Sequence, residues 1–184
     1  MMGPELESAH KRREESGFYA KYMSGSGLDI GFGDYDPAPN CVGIDLKTPG
    51  YDGLHLPVDN ESQDFVFSSH CLEHIFEWSP AIIEWFRVLK TGGYLIIAVP
   101  HQFLYEKKVD LPSNWNGDHK RFYTPAILMD EIEYSLAPNS YRLRYLQDCD
   151  ENFVYSIPAE QHSGGEYQIE CVIQKIEPPK WKLL

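Results

Sequence analysis

The chain has 184 residues, of which 42% are hydrophobic and 24% are charged, and 16 Lys and Arg against 28 Asp and Glu give a net charge of −12. These fractions indicate an ordinary globular protein, and the length fits a single domain over residues 1–184. So acidic a chain would repel nucleic-acid phosphates, which argues against a bulk nucleic-acid partner. With no apolar signal region, no membrane-length apolar run and no C-x-x-C pair, we expect a cytoplasmic protein with reduced thiols and no membrane contact.

A charged N-terminal segment precedes the first predicted strand. Residues 1–23 are predicted to form a helix with Phe18, Tyr19 and Tyr22 on its apolar side, ended by "SGSG". Four short strands follow, in the segments "GLDIG" (27–31), "CVGIDL" (41–46), "DFVFSSH" (64–70) and "YLIIAVP" (94–100). The last is almost entirely apolar, as is typical of a strand covered on both faces.

Helices alternate with the later strands. "SPAIIEWFRVLKTGG" predicts a helix capped by Ser79 and stopped by Gly92 or Gly93, and its place between two strands implies a parallel crossover. "TPAILMDEIEYSL" (124–136) predicts a second helix, capped by Thr124. Two late strands, at 141–148 and 167–176, are expected to pair as an antiparallel hairpin, so the sequence predicts one α/β layered sheet.

The early connections are short. Only about ten residues separate "LDIG" from "VGIDL", whereas a crossover with a helix needs a dozen or more. The first crossover helices are therefore expected to be shortened or missing, with "DYDPAPN" and "KTPGYD" as loops. One face of the sheet would then be thinly covered, and the N-terminal helix could fill it.

The pentapeptide "HCLEH" at 70–74 matches the H-x-x-E-H spelling of a zinc-peptidase class. Such a zinc site needs both histidines on one helical face and a third ligand. Because His70 ends a predicted strand, we expect no metal here, and a zinc hydrolase remains a remote alternative. Glu73 and His74 are expected to fix the turn through local hydrogen bonds.

Glycines and acids mark the ends of the first two strands. "LDIGFG" places glycines where a backbone can approach a ligand, and Asp45 ends the next strand, where an acid can bind ribose hydroxyls. Each signal alone is weak. Together, "LDIGFG", "VGIDL", "LPVDNESQDFVFSSHCLEHI" and "EWFRVLKTGGYLIIAVP" follow in order over residues 28–100. In this the chain resembles class I S-adenosylmethionine-dependent methyltransferases of the methyltransferase type 11 group, and most closely small bacterial and phage members associated with polysaccharide biosynthesis.

The resemblance implies a Rossmann-like, mostly parallel sheet with a C-terminal antiparallel hairpin, S-adenosyl-L-methionine as cofactor and a set of cofactor ligands. The resemblance implies that the methionine end of the cofactor is bound by Gly31 and Gly33, with Asp29 beside them, and that its ribose is bound by Asp45. The other positions implied to bind the cofactor are Asp52 at the adenine amine, Gly53, Leu54 and His55 near the adenine, and Ser68 and Ser69 beneath the methionine. His70 would face the transferred methyl group. The usual third glycine of the first motif is replaced by Tyr35.

Residues 101–123 form a long connection that we expect to bind the acceptor, because long loops in compact domains are usually functional or disordered. The predicted acceptor-binding residues are Tyr105, Trp115, Asp118 and Arg121. His70 and His119 are the predicted catalytic residues, since a hydroxyl acceptor needs a base. The predicted function is methyl transfer to a small polar acceptor, such as a saccharide. A non-catalytic cofactor-binding partner protein is the alternative, and an oxidoreductase is disfavoured because G-x-G-x-x-G is absent.

Overall fold

A computed structural model describes residues 4–33 and 35–181. One six-stranded sheet has the order β2-β1-β3-β4-β6-β5. Its strands are β1 (Gly27–Ile30), β2 (Cys41–Ile44), β3 (Gln63–Ser69), β4 (Leu89–Pro100), β5 (Tyr141–Cys149) and β6 (Gln168–Lys175). Strands β2, β1, β3 and β4 are parallel, and β6 is antiparallel to both β4 and β5. The predicted α/β sheet with a C-terminal antiparallel hairpin is confirmed.

Two helices cover one face of the sheet. They are α3 (Trp78–Arg87) and α4 (Pro125–Ser135), counted after two N-terminal helices, α1 (Pro4–Glu15) and α2 (Phe18–Tyr22). Alternate residues of the strands, such as Val66, Leu95 and Ile97, pack with Ile82 and Trp85 of α3 in the main hydrophobic core. This alternation follows from the two-residue period of a strand.

The opposite face is covered by α2. Phe18 and Tyr22 pack with Phe65, Phe67 and Ile96 in a second, smaller core. The prediction that the N-terminal segment fills the thinly covered face is confirmed. The prediction of one continuous helix is wrong, because Gly17 adopts a left-handed conformation (φ 73°) that ends α1 and turns the chain into α2.

The boundaries of α3 also differ from the prediction. The helix begins at Trp78 after Glu77, and the Ser79 hydroxyl does not cap it but accepts a hydrogen bond from Ser135. The helix ends at Arg87, and the next strand starts at Leu89, ahead of the two glycines. Thr124 caps α4 as predicted, its side chain accepting from the N–H of Ile127.

The early crossovers contain no helix in the part of the chain that the structure describes, as the short spacing predicts. Residues 102–106 of the long connection form a π-helical turn, and Leu72–His74 form a single 3-10 turn after β3. None of the helices within 4–33 and 35–181 is long and apolar enough to cross a membrane.

Candidate active site

Two cavities open at the carboxyl ends of the parallel strands. The larger is about 660 Å³ and the smaller about 440 Å³, within the usual range for small-molecule sites. Gly31 and His70 line both cavities, so the two meet at the ends of β1 and β3. This is the edge at which open α/β sheets bind ligands.

Gly31 and Gly33 shape the junction through their backbones. Gly31 has φ 78°, and a Cβ added there would lie 2.5 Å from Sγ of Cys71, so only glycine fits. The N–H of Gly33 donates to a carboxylate oxygen of Asp45 at 3.1 Å, which links the first glycine-rich turn to the end of β2. Asp45, which the resemblance assigns to the ribose, lines the larger cavity.

The loop after β2 forms the outer wall of the larger cavity. Asp52, Gly53, Leu54 and His55 all line it. The Asp52 carboxylate accepts from the N–H groups of Leu54 and His55 and from the His55 ring at 2.8 Å, and these bonds hold its pKa well below the usual range. Asp52 therefore stays ionised and fixes the loop, and its side chain remains exposed.

A buried aspartate and a buried arginine both line the smaller cavity. Asp29 accepts from the N–H of Ala38 at 2.8 Å, and burial raises its pKa to about 6. Arg13 of α1 lines the same cavity, and its Nη2 is buried without a hydrogen-bond partner among the described residues. An ammonium and a carboxylate, the two charges of an amino acid, would find opposite charges here.

Sequence reasoning missed Arg13. The residue lies in a charged run, "HKRREE", that resembles any solvated helix face, yet its side chain is nearly fully buried against Phe67 and Glu170. The burial of Arg13 is evident only from the tertiary contact of α1 with β6. The repeated pairing of Arg12 and Arg13 with Glu170 is a long-range feature without a local signal.

The side chains of Ser68 and Ser69 lie in different surroundings. Ser68 is buried and donates to the carbonyl of Ile30 at 3.3 Å, and it lines neither cavity. Ser69 lines the smaller cavity, and its hydroxyl is buried with no partner in the described chain. Of the two predicted serines, Ser69 is the one with an unused hydrogen-bonding group at the site.

His70 lies where the cavities join. Its backbone is left-handed (φ 54°), and its Nε2 lies 3.0 Å from Oε1 of Gln168 on β6. An amide oxygen is an acceptor, so Nε2 carries the proton and Nδ1 is left as the basic nitrogen. Burial lowers the pKa of His70 to about 4, so the ring is neutral at physiological pH.

The predicted acceptor-binding residues lie elsewhere. Tyr105 is buried in a small cluster with Leu104 and Tyr167, and Trp115 donates from its indole to the carbonyl of Tyr105. Asp118 is exposed and pairs with Lys120 at 3.2 Å. Arg121 pairs with Glu131 and stacks over Trp78 at 4.9 Å. None of these four predicted residues lines either cavity.

His119 is also behind the cavity wall. It is 6% exposed, and its Nδ1 lies 2.9 Å from Oε1 of Glu106. Its ring contacts that of His74 with centroids 4.9 Å apart, and His74 lines the larger cavity. Glu73 is buried beside them, and burial raises its pKa to about 8. The pentapeptide and the long connection thus meet in one buried cluster.

Comparison with known proteins agrees with this geometry. Residues 46–97 match the family model described as a methyltransferase domain. A probable S-adenosylmethionine-dependent methyltransferase of Mycolicibacterium smegmatis is 29% identical over an alignment of 105 residues that covers 54% of this chain. The alignment spans only 40% of that relative's length.

Solved structures share the fold across nearly the whole chain. A methyltransferase from Thermotoga maritima, titled a possible histamine N-methyltransferase, is 18% identical with a TM-score of 0.57, covering 90% of this chain and 91% of its own. One from Archaeoglobus fulgidus is 16% identical with a TM-score of 0.62, covering 92% and 94%. The [4+2]-cyclase SpnF, at 14% identity and a TM-score of 0.64 over 92% and 82%, shows that the fold also serves other chemistry.

The residues around the two cavities are compatible with the cofactor of these proteins, because they include a glycine turn, an acid at the end of β2 and an arginine whose Nη2 has no hydrogen-bond partner among the described residues. Residues 46–97 thus match a methyltransferase domain, and the chain shares the fold of the solved methyltransferases. The names of these similar proteins imply S-adenosyl-L-methionine as the cofactor.

Proposed function

We propose that the protein transfers a methyl group from S-adenosyl-L-methionine to a small polar acceptor, with a saccharide as the first class to test. The observation that carries the proposal is the junction of the two cavities at Gly31 and His70. The larger cavity offers carboxylates and backbone groups that can bind a nucleoside. The smaller cavity offers a carboxylate and a guanidinium that can bind the ammonium and carboxylate of an amino acid. A single extended ligand that carries both parts would span them.

The adenosine part belongs in the larger cavity. Asp45 is held by Gly33 and accepts from ribose hydroxyls, while Asp52 and the Leu54 backbone meet the base. The half-buried Tyr51 and Ile75 line the same space with apolar surface for the purine.

The methionine part belongs in the smaller cavity. Arg13 Nη2 donates to the carboxylate, and Asp29 accepts from the ammonium group. A fixed arginine fork suits a carboxylate, and the buried pair is stabilised once both charges are matched. The Ser69 hydroxyl supplies one more hydrogen bond at this end.

His70 then lies beside the reacting centre. The bound cofactor supplies an activated methyl group on a sulfonium, and the protein contributes position and exclusion of water. The neutral ring orients an acceptor through Nδ1 and takes a hydroxyl proton as the methyl bond forms. His119 lies behind the wall and supports this region, rather than contacting the acceptor.

Isothermal titration with S-adenosylhomocysteine, the demethylated product, tests the cofactor site. Transfer of a labelled methyl group to a panel of sugars and polar metabolites tests the activity. Binding of the product with turnover of at least one acceptor supports the proposal. Binding without turnover across the panel would favour the non-catalytic partner protein, and no binding by a folded sample would contradict both.

A further inference from the structure

A compact cluster of metal-ligand side chains lies next to the larger cavity and contains none of the residues assigned above to the cofactor. It consists of Glu73, His74 and His119, and we call it the Glu–His–His cluster. One ligand atom from each residue can be chosen so that all three lie within 4.8 Å of one another. Glu73 and His119 are buried, and His74 is partly exposed to the cavity.

The strongest sign is the Glu73 carboxylate. It is 1% exposed, and neither of its oxygens has a hydrogen-bond partner on another residue within the described chain. A buried carboxylate without partners is costly, and such groups are normally paired or bound to a metal ion. The nearest cation-forming atoms are Nε2 of His74 at 3.8 Å and Nδ1 of His70 at 3.7 Å, both too distant for hydrogen bonds.

The distances suit a bound ion better than direct contacts. In a tetrahedral zinc site with bonds of about 2.0–2.1 Å, neighbouring ligand atoms are about 3.4 Å apart. The 3.8 Å between Glu73 and His74 would have to close by a few tenths of an ångström around an ion, and the widest pair of the three, within 4.8 Å, by up to about 1.4 Å.

His119 is oriented as metal-bound histidines usually are. Its Nδ1 bonds to Oε1 of Glu106, which leaves Nε2 as the free nitrogen on the other side of the ring. Glu106 is itself buried and held by Ser113 and the Asn114 backbone. A carboxylate–histidine pair anchored in this way is the typical outer support of a metal ligand.

We propose that the Glu–His–His cluster binds one divalent transition-metal ion of the zinc class, with Glu73, His74 and His119 as ligands and Glu106 as the positioning residue. Two imidazoles and one carboxylate form the ligand set of many zinc sites that keep an open position. A water molecule would complete the coordination on the side that borders the larger cavity.

The site differs from the one that the H-x-x-E-H spelling suggests. That spelling joins the two histidines of the pentapeptide, whereas the structure joins the second of them to His119, 45 positions along the chain from it. A pattern search within the pentapeptide would not find this set.

The test is cobalt binding to the untagged full-length protein after chelator treatment. We expect one equivalent of Co²⁺ with visible d–d absorption of a low-coordinate site, displaced by Zn²⁺. Glu73→Gln should lower the affinity at least 100-fold, and Glu106→Gln about 10- to 100-fold. His162→Asn, which removes an exposed histidine outside the cluster, should leave it unchanged.

Circular dichroism and binding of S-adenosylhomocysteine establish that each variant is folded, and they keep the metal site separate from the methyltransferase proposal. A folded wild type that takes up no stoichiometric Co²⁺ or Zn²⁺ overturns the inference. It is also overturned if Glu73→Gln and His162→Asn bind Co²⁺ as well as the wild type does.

Discussion

The two sides of the larger cavity are built in opposite ways. The loop side, residues 45–55, carries exposed carboxylates held by short local bonds, as in Asp52 with His55. The buried side, formed by the ends of β1 and β3 and the segment 70–74, holds its polar groups by long-range contacts, as in His70 with Gln168. Recognition of a nucleoside needs reachable polar groups, whereas chemistry needs groups fixed and shielded from water.

This contrast predicts that substitutions on the two sides of the cavity have different effects. Changes on the buried side should affect turnover and stability strongly, because many of the groups there are buried and some, such as His70, are held by a single long-range contact. Changes on the loop side should weaken affinity for the adenosine part and leave the fold intact.

His70→Asn should lower turnover about 100- to 10,000-fold, as expected when a positioned acid–base group is lost. The affinity for S-adenosylhomocysteine should change less than about threefold, since His70 is assigned to the acceptor side. Single-turnover kinetics and titration calorimetry measure the two effects separately. Equal losses in binding and turnover would remove His70 from the chemical step.

Gly31→Ala should destabilise the protein by about 2–5 kcal/mol and abolish measurable cofactor binding, because it combines a left-handed backbone with a clash against Cys71. Gly33→Ala is the matched control. It has a similar φ of 68° but open space around the added Cβ, and should cost only about 1–2 kcal/mol. Urea unfolding compares the two, and equal costs would mean that the Cys71 contact has no effect.

Arg13→Lys should weaken binding of S-adenosylhomocysteine about tenfold, because lysine cannot reproduce the guanidinium fork. Binding of methylthioadenosine, which lacks the amino-acid part, should be unchanged. Arg12→Lys is the control, since Arg12 shares the partner Glu170 but lines neither cavity. If Arg13→Lys weakened both ligands equally, the carboxylate contact would be wrong.

Asp29→Asn should raise the free energy of unfolding of the ligand-free protein by about 1–3 kcal/mol at pH 7.5. Burial raises the pKa of Asp29 from 3.8 to about 6, so the folded state holds the proton more tightly than the unfolded state. The wild type therefore loses stability as pH rises from about 3.8 to 6, and the gain from asparagine should vanish near pH 3.5. A gain independent of pH would contradict this explanation.

The sheet was predictable because its signals are local. "LDIG", "VGID" and "YLIIAVP" are short apolar runs next to glycine, and Thr124–Pro125 starts α4 as a cap and first-turn pair should. The missing crossover helices followed from loop length alone. Gly17 escaped prediction because a single glycine can either continue a helix weakly or end it in a left-handed turn.

From chain pattern alone, the site was predictable where a residue follows its strand directly, and the loop at 52–55 was placed by the family resemblance. Gly31, Asp45 and His70 line the cavities because strand ends meet at one edge of a parallel sheet. Arg121, predicted to bind the acceptor, is paired with Glu131 instead. Contacts across the fold bring Arg13 to the same cavity as Asp29 and bring His74 against His119. No spacing in the sequence predicts either pair.

The most direct test of one ligand spanning both cavities is calorimetry of S-adenosylhomocysteine and methylthioadenosine with the wild type and Asp45→Ala. We predict one site per chain, with both ligands weakened at least tenfold by the substitution, because Asp45 contacts the ribose that they share. A folded wild type that binds neither ligand, or an Asp45→Ala variant with unchanged affinity for both, would contradict the assignment of this crevice to the cofactor.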